Sequence, residues 1–223
     1  MRKIVVAAPL LIALVASTFA QDYAITRLPV LPGAVEVAGI SISDNGFISG
    51  NCRMANGDWR AFFLKDDVVV DLGSFGGSTT WASAINSQGH IVGYSEDALD
   101  LRKAFLWTPA SRLRSVAISH HSAANDINES GAVVGTSGAD AFVWRNGWYQ
   151  RLPPVVQSSS AQAVGINDLA VIVGKELLEM TEFPRPAYWQ RGLSLLLSGG
   201  SGRHPSRINN SGQIIGYRWF YFD

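Results

Sequence analysis

The chain of 223 residues contains a single cysteine, Cys52. One thiol excludes an intrachain disulfide framework and any metal site built from several cysteines. Charge is also sparse: 16% of residues are Asp, Glu, Lys or Arg, and 18 basic side chains balance 18 acidic ones. No Lys/Arg stripe appears, so a nucleic-acid partner is not expected. So little charge beside 47% hydrophobic residues excludes a disordered chain. The usual catalytic signatures are missing too. There is no Gly-x-Ser-x-Gly elbow, Gly-rich phosphate loop or His-Glu-x-x-His. Ser43-Asp44-Asn45-Gly46 is too short for a calcium loop.

The first twenty residues read as an address. Arg2 and Lys3 precede an apolar run from Ile4 to Ala16, and Thr18-Phe19-Ala20 places small residues where a signal peptidase needs them. Residues 1–20 are expected to be a secretory signal peptide, leaving a single domain over residues 21–223. The run falls short of the ~20 apolar residues of a membrane span, and no second run reaches that length, so the mature chain is not expected to enter a membrane. Loss of Arg2 and Lys3 leaves a net charge of −2. The mature protein is expected in the periplasm or outside the cell, as a monomer, with Cys52 buried rather than reactive.

What the remainder has in abundance is Gly, 22 residues, together with 7 Trp and 10 Phe, a mix suited to short strands and tight turns. It also repeats. Ile42, Ile85, Ile127, Ile166 and Ile208 recur at a steady interval, about 42 residues on average. Each opens a polar turn of the type Ile-Asn-x-x-Gly, with a second Gly four residues further on: Gly50, Gly93, Gly135, Gly174 and Gly216. An aromatic segment follows, such as Ala104-Phe105-Leu106-Trp107 or Ala141-Phe142-Val143-Trp144. A Leu segment, centred on Leu28, Leu72, Leu113, Leu152 or Leu195, precedes each Ile at a near-constant distance.

Asn and Asp start tight hairpin turns by binding nearby backbone N–H groups, and Gly ends them at positive φ. In the fourth turn, Ala170 stands where Gly is expected, so that turn should differ or Ala170 should carry strain. The second Gly should allow close backbone approach or end a strand. Each repeat of about 42 residues therefore holds four short strands, the size of one propeller blade. The expected fold is all-β: a propeller of about five four-stranded blades ordered Ile, Gly, aromatic, Leu. The ring would be closed by the N-terminal strand, Tyr23 to Val30, acting as outer edge of the fifth blade beside Trp219 to Phe222.

These residues resemble the HAF repeat family, bacterial exported proteins. The second unit carries the likeness best, in Asp71-Leu72-Gly73-Ser74-Phe75-Gly76-Gly77-Ser78, Ala84-Ile85-Asn86, Gly89-His90-Ile91-Val92-Gly93 and Ala104-Phe105-Leu106-Trp107. The motif defines a repeat type rather than a chemistry, so the resemblance implies an extracellular β-repeat protein and supplies no catalytic residues.

Alternate turns of an antiparallel blade open on the same edge. The longer connections should therefore gather on one edge of the ring, opposite the Gly turns, and loops carry function. Trp81, His120, His121, Arg203 and His204 fall there as candidate ligand-binding residues, with Glu96, Asp97, Asp100, Glu176 and Glu179 in the other loops. A three-His metal site is conceivable, but solvated loop histidines are the better reading. Trp107, Trp144 and Trp189 keep the repeat phase and should pack. Trp59, Trp81 and Trp148 do not, and Trp81 is the one placed to stack a sugar or an apolar group. The expected function is a non-enzymatic binding or scaffolding module without a cofactor, its partner an extracellular or periplasmic protein or glycan. The alternative is a small glycoside-cleaving enzyme, which would need two facing carboxyls.

Overall fold

The computed structural model describes residue 25 and residues 27–155, 160–177, 183–198 and 202–218. The expected signal peptide lies outside them, as do Tyr23, Glu179 and Trp219 to Phe222. The described residues form strands and no helix.

The strands fall into units matching the repeats. The first holds β1 (Ala34–Ile42), β2 (Ile48–Met54), β3 (Trp59–Lys65) and β4 (Val68–Asp71). The second holds β5 (Gly76–Ile85), β6 (Ile91–Asp97), β7 (Arg102–Thr108) and β8 (Arg112–Ser115). The third holds β9 (Ser122–Ile127), β10 (Val133–Ser137), β11 (Asp140–Arg145) and β12 (Trp148–Arg151). The fourth holds β13 (Ser160–Ile166), β14 (Ile172–Leu177), β15 (Arg185–Gln190) and β16 (Leu193–Leu196). The fifth shows β17 (Arg203–Ile208) and β18 (Ile214–Arg218). Within each unit the strands pair antiparallel in the expected order, Ile, Gly, aromatic, Leu. A single parallel bridge, Trp59 to Thr79, joins the first two units into one sheet.

The hairpin between the first two strands recurs with one geometry. In the second unit Asn86 N–H donates to His90 C=O, and Gly89 N–H donates to Asn86 C=O. The three-residue loop between them ends in a left-handed residue, as such loops do. Gly89 sits at φ 75° and Gly131 at 78°; Ala170 occupies the same conformation at 57° and makes the same bond, Ala170 N–H to Asn167 C=O. The fourth turn is therefore unchanged, and Ala170 carries the strain of a left-handed non-Gly residue.

The second Gly of each unit has a steric cause. Every inner strand carries a one-residue bulge at the same place, skipping Ile40, Ser83, Asn125, Val164 or Ser206, and β1 and β5 have a further irregularity nearer their starts. The bulge drives a carbonyl onto the neighbouring strand. A Cβ on Gly93, Gly135 or Gly174 would collide with the carbonyl oxygen of Trp81, Ala123 or Gln162.

Units are stacked face to face, and the core lies between them. Ala61 and Phe63 of the first unit pack with Phe105 and Trp107 of the second. Ala104 and Leu106 of the second pack with Phe142 and Trp144 of the third. Ala141 and Val143 of the third pack with Ala187 and Trp189 of the fourth. Period-2 alternation thus sends Ala61 and Phe63, Ala104 and Leu106, or Ala141 and Val143 to the face that meets the next unit, where its aromatic strand packs against them.

A polar ladder fixes the stacking. The Asn86, Asn128 and Asn167 side-chain oxygens accept N–H bonds inside their own turns, from His90, Ala132 and Val171. Their amide nitrogens donate to the backbone carbonyl of the next unit's asparagine: Asn86 to Asn128 at 3.1 Å, Asn128 to Asn167 at 3.0 Å, Asn167 to Asn209 at 3.1 Å. The Asn209 amide donates within its own turn, to Gln213 Oε1.

Among the described residues the array does not close. β1 is exposed along most of its length, and so is β18. The expected seal would pair Tyr23 to Val30 with Trp219 to Phe222, and that pairing lies outside the described residues. Residues 27–31 form no strand, and Leu28 and Leu31 lie in the first unit's cluster with Cys52, Phe62 and Leu64. The cause is hydrophobic: Phe62 and Leu64 project from the free face of the first unit, and the chain just before β1 is the nearest apolar cover.

Two outcomes follow for stability. Asn128→Ala removes a buried turn bond and an inter-unit bond, and should cost about 1–3 kcal/mol, whereas Asn209→Ala loses local bonds only and should cost less; urea unfolding of both variants measures the difference. Ala170→Gly relieves a left-handed alanine and should stabilise by roughly 1 kcal/mol, read as a raised melting temperature.

Candidate functional site

The longer connections do share one edge. Ala55 N–H, between β2 and β3, donates to Gly33 C=O ahead of β1, and the Ser119 and Ser137 hydroxyls meet at 2.6 Å. Gly202 N–H donates to Pro184 C=O, and Phe75 bridges to Asp97. The Gly33–Ala55, Phe75–Asp97 and Ser119–Ser137 contacts tie the loop entering a unit to the same unit's inner connection, and the Gly202–Pro184 bond ties the loop entering the fifth unit to a loop of the fourth.

Trp81, in the middle of β5, lies against Trp59, which opens β3 on this edge, with ring centroids 5.2 Å apart and planes tilted by 59°. Both rings are half-buried, and neither belongs to any of the packed clusters between units. Trp81 faces Tyr94 across the β5–β6 ladder, and the Arg102 guanidinium sits 4.7 Å above the Tyr94 ring. Sequence spacing marked Trp59 as off the packing phase but gave no sign of its pairing with Trp81. The parallel bridge from Trp59 to Thr79 makes that pairing, and it crosses from one unit to the next.

The remaining candidates are scattered. His120 and His121 are exposed in the connection from β8 to β9, with His121 at φ 56°. His204 is buried in the fifth unit, stacked on Tyr217 with centroids 4.6 Å apart and planes nearly parallel. Burial, aided by Lys175, holds its imidazole below the ordinary value. Arg203 is exposed beside it and helps line a hollow of about 320 Å3 between the fourth and fifth units. Among the described residues no group of three His, Cys, Asp or Glu side chains is placed to hold a metal ion.

The carboxylates are engaged in structure. Glu96 lies 3.6 Å from Arg102, and Asp97 lies 2.7 Å from Lys103. The Lys103 bond, with the Leu99 and Leu101 N–H groups, lowers the Asp97 carboxyl to about 2. Glu176 is fully buried and accepts Val155 N–H at 2.7 Å, anchoring the chain ahead of β13. Asp100 occupies a tight turn at φ 58°. Asp126, which sequence reading passed over, is held above the ordinary value by burial, although the Ile166 and Ile127 N–H groups and Arg207 pull it down. Its oxygens accept those two N–H bonds at 3.0 Å each, so it fastens the third unit to the fourth. Cys52 is fully buried, and desolvation, with the Asp71 charge, raises its thiol, which leaves it inert.

No protein-family model matches this chain, and a search of curated proteins finds no match.

The Asp97–Lys103 contact has a definite pH signature. A depressed folded-state value means the contribution is present above the unfolded carboxyl range and is lost as pH falls through about 2. A carboxyl titration followed by NMR should give Asp97 a midpoint near 2, and Lys103→Met should raise it toward 3.8.

Proposed function

We propose that this protein is an exported, non-enzymatic binding or scaffolding module of the HAF repeat type, acting in the periplasm or outside the cell. Its five units are blades of the propeller kind, stacked so that one edge carries the tight asparagine turns and the other the longer loops. The ligand is an extracellular or periplasmic glycan or protein segment, received on the loop-rich edge.

One observation carries this reading: the Trp59–Trp81 pair lies on that edge and stands outside the repeating core. Partly exposed indole faces are suited to stack on the apolar face of a sugar ring or on a flat side chain. The engagement of Glu96, Asp97, Asp126 and Glu176 in ion pairs and backbone bonds favours binding over turnover. His120, His121, Arg203 and His204 fit as accessory contacts from neighbouring loops rather than as one cluster.

Ligand that binds the folded state raises its melting temperature by mass action. A thermal-shift screen against oligosaccharides and loop-sized peptides is expected to give a shift with at least one, reduced at least tenfold in affinity by Trp81→Ala. Binding that survives Trp81→Ala unchanged, or release of a cleaved sugar, would overturn the assignment.

A further inference from the structure

Among the described residues the repeating interface stops at both ends of the array with its two complementary halves uncovered. At every internal junction the residue after the hairpin of one unit is buried under the next unit. Ser49, Val92, Val134 and Val173 hold that position and are 0% exposed. Ile215 holds it in the fifth unit and is 66% exposed. On the receiving side, the Ile that opens the turn is covered by the unit before it: Ile85 is 7% exposed, Ile127 6% and Ile166 4%. Ile42 holds that position in the first unit and is 69% exposed. Val92 with Ile127, and Val134 with Ile166, belong to the same packed clusters, so Ile215 and Ile42 are the two unmatched halves of one contact.

The polar ladder ends in the same way. Asn209 is the only asparagine of its series among the described residues whose amide reaches no following unit. Beside it a hollow of about 470 Å3 is lined by Arg207, Ile208, Asn209, Gln213, Ile214 and Ile215. The receiving position in the first unit is Ser43, which closes its turn like the asparagines, with Ser43 C=O accepting Gly46 N–H. The outer half of the first unit's face is already capped by Leu28 and Leu31, and only its inner half, at Val37 and Ile42, is open. Among the described residues the fifth unit offers its inner strands, β17 and β18.

We propose that the fifth unit of one molecule docks on the first unit of a second copy, head to tail, continuing the internal stacking with Ile215 against Ile42 and Asn209 donating to Ser43 C=O. Both faces are exposed among the described residues of one molecule, and a second copy supplies the matching half of each. A heterologous contact of this kind produces rings where the rotation closes and filaments where it does not. It replaces the monomer expected from sequence, and it rests on the stacked-unit half of the function proposed above, not on its ligand.

Sedimentation equilibrium of the purified protein is expected to show association that grows with concentration. Ile42→Asp and Ile215→Asp alter exposed positions, so both variants should keep the native circular dichroism and melting behaviour, and each alone should be monomeric. An equimolar mixture of the two retains one intact face of each kind and should form a 1:1 dimer. A native protein that is monomeric at all concentrations overturns the proposal, whether its faces stay open or close within one chain. Association that resists both substitutions, or variants that fail to complement, overturns it equally, since a two-fold symmetric contact would not be restored by mixing. None of these outcomes bears on sugar or peptide binding, which the Trp81→Ala comparison reads independently.

Discussion

The structure depends on a single side chain used twice. An asparagine at the start of each hairpin has one acceptor and one donor end. The acceptor closes its own turn, and the donor reaches the backbone of the following unit. Neither alanine nor serine does both. Ser43 shows the difference: its hydroxyl accepts Phe47 N–H, and the crossing bond passes instead to Asn45, whose amide reaches Ser87 C=O at 2.7 Å. Local turn geometry and the spacing between units are therefore set by the same group. Loss of one weakens the other, which ties the short sheets into a cooperative whole.

Steric constraint does the rest. The bulge in every inner strand presses a carbonyl against the adjacent strand, and only a residue without a side chain fits opposite. Beyond that point the aromatic strands supply the apolar surface. Phe62, Phe105, Phe142, Trp107 and Trp189 are almost wholly enclosed, each worth about 1.5–3 kcal/mol of transfer free energy. Trp189 also satisfies its indole N–H on Pro153 C=O at 2.7 Å, a bond between the fourth unit and the loop leading into it.

Much of this was legible in the chain because the repeat period and the in–out alternation of the strands are both visible in one dimension. Strand order within each unit, the position of the turns, the burial of Cys52 and the anomaly at Ala170 all follow from local chemistry. Ring closure by the N-terminal strand does not follow, because the repeat pattern says which face needs a cover and not how far the stack curves. Leu28 keeps the phase of Leu72 and Leu113, yet it caps the first unit, where Phe62 and Leu64 lay bare. The Trp59–Trp81 pair was equally out of reach. It is made by a bridge between units, and its two members stand at different places in their repeats, with no shared spacing to reveal them. Asp126 escaped notice since its role, an acceptor for backbone N–H groups of the next unit, leaves no motif.

The asparagine ladder also has a direction. The amides of Asn86, Asn128 and Asn167 each donate forward, to the turn carbonyl of the unit that follows. A segment one repeat long therefore arrives with both halves of its junction already made. Duplicating or deleting such a segment in a gene keeps every remaining junction intact, whatever the number of units. The fold is open to growth and loss by whole repeats, while an insertion out of phase would break the ladder at once.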